Sequence, residues 1–252
     1  MSLPRVHIKT LSGCEGCQDC LEHSDQFVPL LGAINLVECR LLTSPVDTTI
    51  LPGDIIIFEG APNTNHHVKE LEEIRAVEGV LIIAMGTCAV FGGVQANVAD
   101  EDLKEVHDGK WGEYNQTLEL KAGAPISRYV KVDAEIPGCP IDPEELAFII
   151  AKLLSDGKPR EFNHAVCAEC HRVGCLLNDK ELCLAMITVA GCKGVCPNVS
   201  RGCLGCRGFL PKVDIEQFVA MLVEKGFSEK DVRRKLNFYN AHQMKQEEGG
   251  NV

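Results

Sequence analysis

No apolar run in this chain approaches the ~20 residues that a helix needs to cross a bilayer, so no membrane span is expected. Positive charge is scarce too. Against 36 aspartates and glutamates stand 25 lysines and arginines, a net charge of −11. Such a surface repels phosphate backbones and anionic headgroups, which excludes nucleic acid and anionic membranes as expected partners. The opening MSLPRVHIK holds neither an apolar secretory segment nor a twin-arginine signal, and points to the cytoplasm. No internal repeat is found beyond cysteine spacing. What the 252 residues do hold is 14 cysteines. Structural disulfides are rare in the cytoplasm, so thiols in this number are expected to bind metal or do redox chemistry. A hydrophobic content of 45% is enough to bury a core around them.

The first half alternates strand and helix signals. VHIKTL (6–11), NLVECRLL (35–42), GDIIIFEGA (53–61), VLIIAM (80–85) and RYVKVDAEI (128–136) read as strands. The runs at 53–61 and 80–85 are apolar throughout, as in strands covered on both faces. QDCLEHSDQFVPLLGA (18–33) and HHVKELEEIRAVEG (66–79) read as helices between them. This alternation predicts an α/β fold with a parallel sheet and helices on both sides. DPEELAFIIAKLLSDG (142–157) carries the strongest helix signals: Asp142 as cap, Pro143 in the first turn, and Leu146, Ile149, Ile150, Leu153 and Leu154 on one face.

GKPREF (157–162) reads as a linker, after which the composition changes. Eight cysteines fall between 167 and 206 with little apolar periodicity, so metal bonds are expected to stand in for a hydrophobic core. Two short helices are expected to follow, the first with a stripe of Ile215, Phe218, Val219 and Leu222. The expected domains are 1–157, 158–212 and 213–252, with a disordered tail.

Three strands end in Gly-Cys or Gly-x-Cys turns, at SGCEGC, MGTC and IPGC. The carboxyl ends of parallel strands share one edge, and ligands bind outside it. Cys14, Cys17, Cys88 and Cys139 are therefore expected to converge. Four thiolates suit a 4Fe-4S cluster or a tetrahedral zinc; Pro140 after Cys139, and glycines that let the backbone approach sulfur, favour the cluster. A second quartet is Cys167, Cys170, Cys175 and Cys183; a third is Cys192, Cys196, Cys203 and Cys206. Each contains one CxxC, and spacing alone fits clusters and zinc knuckles equally. His164, His171, His66 and His67 are weaker ligand candidates. Cys39 lies in an apolar strand and reads as core. Cys20 lies one helical turn past Cys17 and reads as a spare thiol beside the first quartet.

Over nearly its whole length the chain resembles the small, electron-transferring subunit of nickel–iron hydrogenases. The resemblance rests on CEGC, MGTCAVFGG, the FEGA segment around Glu59 and IPGCPIDPEEL, and on RGCLGCRG further on. It implies a flavodoxin-like domain in which Cys14, Cys17, Cys88 and Cys139 hold a proximal 4Fe-4S cluster, followed by a small, loop-rich iron–sulfur domain with short C-terminal helices. It also implies a distal 4Fe-4S cluster on Cys167, Cys170, Cys175 and Cys183. Here Cys167 stands where exported members of the family carry a histidine. The medial cluster would lie on Cys192, Cys196, Cys203 and Cys206, with Cys196 as a fourth thiolate where exported members have three. All-cysteine ligation resembles the cytoplasmic branch: viologen-reducing, heterodisulfide-reductase-linked, deazaflavin-reducing and sulfhydrogenase types. The partners implied are a large subunit with the nickel–iron site and an iron–sulfur or flavoprotein electron acceptor. No catalytic residue of this chain is implied. The rival readings are a zinc-stabilised scaffold and a cluster subunit whose large partner lacks nickel.

Overall fold

The computed structural model describes residues 3–44, 47–98, 102, 103, 105, 120–155, 157 and 162–248. It divides into two compact units, Met1–Pro159 and Arg160–Val252.

The first unit is built on five parallel strands in the order β2-β1-β3-β4-β5, where β1 is Arg5–Thr10, β2 Asn35–Cys39, β3 Ile55–Glu59, β4 Leu81–Met85 and β5 Ala134–Ile136. This is the flavodoxin-like doubly wound order, with its switch point between β1 and β3. Strand side chains alternate between faces. Ile55 and Ile57 of β3 and Ile83 of β4 enter one core with Leu21, Leu30, Leu146, Ile149 and Ile150. Ile56, Phe58 and Ile82 enter a second core with Leu71, Ile74 and Ile126. A strand with a core on each side has no polar face, which is why these runs read as continuously apolar.

The helices are α1 (Gly16–Glu22), α2 (Phe27–Ala33), α3 (Asn65–Arg75), α4 (Gly86–Phe91) and α5 (Pro143–Leu154). The single helix expected over 18–33 is two, separated by turns at 23–26. The strand expected over 128–136 is confined to 134–136, because Ile126–Arg128 form a 3-10 turn. In α5 the Asp142 side chain accepts from the Glu144 N–H at 2.9 Å, and Pro143 sits in the first turn. Leu154, expected on the buried stripe, is 48% exposed, because the helix ends there.

In the second unit the cysteine loops lead to a one-turn helix α6 (Val195–Asn198), then α7 (Ile215–Glu224) and α8 (Glu229–Glu248). Helix α8 is kinked at Asn240, whose side-chain Nδ2 donates to the Gly205 carbonyl at 3.0 Å. Contrary to expectation, this unit has a hydrophobic core. Val166, Leu176, Leu177, Leu184 and Ile187 from the loops meet Phe218, Leu222, Val232 and Leu236 of the two helices. The loop residues supply it singly, which is why no periodicity announces it. Most of the linker expected at 157–162, and the end of the tail, lie outside the described residues.

Candidate metal centres

The first quartet assembles at the carboxyl edge of the sheet. Cys14 and Cys17 follow β1, Cys88 lies in α4 directly after β4, and Cys139 follows β5. The Thr87 N–H donates to the Gly138 carbonyl at 2.9 Å, tying the second of these turns to the third. Burial raises the Cys17 thiol strongly, and Glu59, Cys139 and Cys88 push it further. The Cys88 thiol is pushed to about 11, by burial first and then by Cys139, Cys14 and Glu59. All four thiols thus lie within electrostatic reach of a common space. A metal core bound there would take the thiolate form of its ligands and displace their protons.

The backbone leaves room there. Gly86 has φ +89°, and a Cβ on it would stand 2.5 Å from Cys17 Sγ. A left-handed, side-chain-free residue is therefore needed at the start of α4.

Glu59, at the end of β3, is buried. Its Oε1 accepts from the Cys17 N–H at 3.0 Å and its Oε2 from the Gln18 N–H at 3.1 Å. One carboxylate thus fixes the start of α1 and the orientation of the CxxC turn. The FEGA motif marks Glu59 in the sequence, but its pairing with the amides of α1, across some forty residues, has no local signal.

In the second quartet, burial raises the Cys167 thiol to about 11, with Cys183, Cys175 and Cys170 adding to it in that order. The four are neighbours. In the third, the Cys196 thiol is raised by burial and by Cys192 and Cys183. Burial pushes the Cys203 thiol to about 12, with Cys206 and Cys183 contributing. Cys183 therefore lies beside members of both quartets. The Cys203 N–H donates to Cys183 Sγ at 3.3 Å. Gly202 is in van der Waals conflict with any added Cβ, which would overlap the Leu182 carbonyl. The loops are also clamped from outside: the His171 N–H donates to Asn198 Oδ1 at 2.7 Å, and Arg172 Nε to Ser200 Oγ at 3.2 Å.

The remaining candidates fall elsewhere. Cys20 Sγ faces the Ile141 carbonyl at 3.7 Å, and its thiol is raised by burial, Asp142 and Asp19 rather than by another cysteine. Cys39 is fully buried, with Sγ 3.3 Å from Gln18 Oε1. His164 is exposed and packs edge-on to Phe162. The His67 N–H is capped by Thr64 at 3.1 Å. Among the described residues, no three His, Cys, Asp or Glu side chains close tightly enough to hold a single metal ion. Among them, too, no helix is long and apolar enough to cross a membrane.

Residues 14–153 match the family model described as NADH ubiquinone oxidoreductase, 20 Kd subunit. The chain is 32% identical over 214 residues to sulfhydrogenase 2 subunit delta of Pyrococcus furiosus, covering 83% of this chain and 87% of the relative. It is 29% identical over 237 residues to a subunit of the vhu F420-non-reducing hydrogenase of Methanocaldococcus jannaschii, covering 81% of each. Among solved structures it resembles a chain of the H2-activated [NiFeSe]-hydrogenase of Dm. baculatum, with a TM-score of 0.55 and 16% identity over 82% of this chain and 95% of that one. It also resembles a chain of an NAD+-reducing [NiFe]-hydrogenase, with a TM-score of 0.51 and 23% identity over 63% of this chain and 94% of that one. At these identities the structural likeness speaks to the fold alone.

Proposed function

The chain belongs to the NADH ubiquinone oxidoreductase 20 kDa subunit family, as a hydrogenase-type member of it, and on that footing we propose that it is the electron-transferring small subunit of a cytoplasmic nickel–iron hydrogenase. A large partner subunit would split dihydrogen into two protons and two electrons. When bound, three 4Fe-4S clusters would supply a one-electron relay from that partner to a low-potential iron–sulfur or flavoprotein acceptor.

In this reading Cys14, Cys17, Cys88 and Cys139 hold the proximal cluster within residues 1–157. Cys167, Cys170, Cys175 and Cys183 hold the distal one, and Cys192, Cys196, Cys203 and Cys206 the medial one, within 158–212. Residues 213–252 supply the helices behind them. The observation that carries the proposal is the first quartet: four thiols from three separate strand ends, gathered at one sheet edge around a glycine that leaves the sulfur space free. Glu59 holds the Cys17 and Gln18 amides in place from below. The Cys203 N–H donates a hydrogen bond to the Cys183 sulfur, the kind of contact that orients a metal ligand.

The test is anaerobic purification of the complex with assay of iron, acid-labile sulfide, zinc and nickel, and EPR before and after dihydrogen. About twelve iron and twelve sulfide per copy of this chain, nickel in the co-purifying large subunit and signals that grow under dihydrogen support the proposal. About three zinc without sulfide refutes the clusters. Full clusters beside a nickel-free partner refute the hydrogenase.

A further inference from the structure

In the second unit an open cleft of about 520 Å³ has a floor of Leu182 and Leu204 and a rim that includes Lys180, Arg234, Lys235 and Phe238. Its floor belongs to the cysteine loops. Leu182 directly precedes Cys183, and Leu204 lies inside the CLGC turn between Cys203 and Cys206. The two segments are stitched together beneath the cleft: the Leu184 N–H donates to the Cys203 carbonyl at 3.1 Å, and the Cys203 N–H to Cys183 Sγ at 3.3 Å. The cleft thus opens where the second and third quartets meet.

Its charge runs against that of the molecule. In a chain of net charge −11, three cations line the cleft against the carboxylates Glu181 and Asp231. Glu181 is turned inward, accepting from the Gly202 N–H at 3.2 Å. Lys180 donates to the Lys225 carbonyl at 2.7 Å, and Lys235 donates to the Leu182 carbonyl. Backbone carbonyls fix these ammonium groups without neutralising them. Arg234 is exposed. Between the cations, Leu204 on the floor is 37% exposed and Phe238 on the rim 43%, two large apolar side chains open to a partner.

We propose that this cleft is the docking site of an acidic iron–sulfur electron-carrier protein, which receives electrons from the quartets beneath the floor. The proposal rests on the reading of the chain as a hydrogenase small subunit and names its electron exit. Basic residues around a small apolar patch suit a transient redox encounter, in which charge steers the partner and the buried area stays below about 1,200 Å². The electrons balance: each dihydrogen split at the partner subunit yields two protons, released there, and two electrons, which pass singly to two clusters, on one two-cluster carrier or on two one-cluster carriers.

The experiment uses the intact hydrogenase complex with an acidic two-cluster ferredoxin as probe, comparing wild type with Arg234→Glu and Phe238→Ser. Calorimetric affinity is measured across a salt series, and EPR is recorded under dihydrogen with methyl viologen reduction alongside. Arg234→Glu is expected to weaken ferredoxin binding about tenfold at low salt and to flatten its salt dependence. Phe238→Ser is expected to weaken binding at all salt concentrations. Cluster EPR and viologen reduction stay unchanged in both. Unaltered ferredoxin affinity in both variants, with clusters still reduced by dihydrogen, overturns the docking site alone. Clusters that dihydrogen does not reduce in wild type overturn the functional reading, and the exit with it.

Discussion

The backbone N–H of Cys203 donates to Sγ of Cys183 across 3.3 Å, so a thiol of the second quartet is hydrogen-bonded by a residue of the third. The contact is buried, and it sits where Cys183 also influences the Cys167 and Cys196 thiols. Hydrogen bonds to cluster sulfur tune potential and order the loop that gives them.

Cys183 is therefore expected to matter to both quartets. Cys183→Ala should lose about eight iron per chain, whereas Cys175→Ala, at an exposed member of the second quartet alone, should lose about four. Iron and sulfide analysis of both variants checks this. Equal losses would mean that the 3.3 Å contact has no part in holding the third quartet.

Gly86→Ala places a methyl 2.5 Å from Cys17 Sγ on a backbone at φ +89°. The variant should lose about four iron and the EPR signal of one cluster, with the second unit intact. Gly32→Ala, in α2 with nothing within 4 Å of the added carbon, is the control. It should keep full iron and gain roughly 0.5–1 kcal/mol from helix propensity. A fully loaded Gly86→Ala protein would show that the sulfur lies elsewhere in the assembled centre.

Glu59 separates charge from hydrogen bonding. Glu59→Gln keeps one acceptor but removes a buried negative charge beside Cys17 and Cys88. A reduced cluster there is then repelled less, so its potential should rise by on the order of 59 mV, a tenfold change in a one-electron equilibrium. Glu59→Ala leaves two buried amides without acceptors, each costing about 1–3 kcal/mol. Redox titration and urea unfolding read the two effects apart. A potential that does not move in Glu59→Gln would leave the carboxylate a purely structural role.

Cys39 predicts a pH dependence. Its thiol is raised from 9.0 to about 11, by burial first and then by the Glu22 carboxylate. The folded state therefore holds this proton more tightly than the unfolded chain. The stability it contributes is fully present below pH 9.0 and is lost as pH rises towards 11. Cys39→Ala should flatten that decline in the first unit's unfolding. At pH 8 iodoacetamide should leave Cys39 unlabelled in the folded protein, since the thiolate is the reactive form. Labelling as fast as in urea would contradict the burial.

Much of this was legible in the sequence, for identifiable reasons. β3 and β4 announce themselves because a strand with a core on each face has no polar positions. The first quartet announces itself because parallel strands bring their carboxyl ends to one edge, so three Gly-Cys turns far apart in the chain must meet. What was hidden depends on tertiary context. Nothing local splits 18–33 into two helices at 23–26. The core of the second unit is gathered from single loop residues such as Val166 and Leu177, which no periodic pattern records. The pairing of Glu59 with two amides of α1, and the position of Cys183 beside both later quartets, are products of folding rather than of spacing.

Asn240, at the kink of α8, reaches back to the Gly205 carbonyl inside the CLGC turn. During synthesis that turn emerges some thirty-five residues before the side chain that latches it. Until residue 240 is made, the CLGC turn lacks the hydrogen bond that Asn240 gives it. A chain truncated ahead of residue 240 would therefore carry all fourteen cysteines and lack the latch.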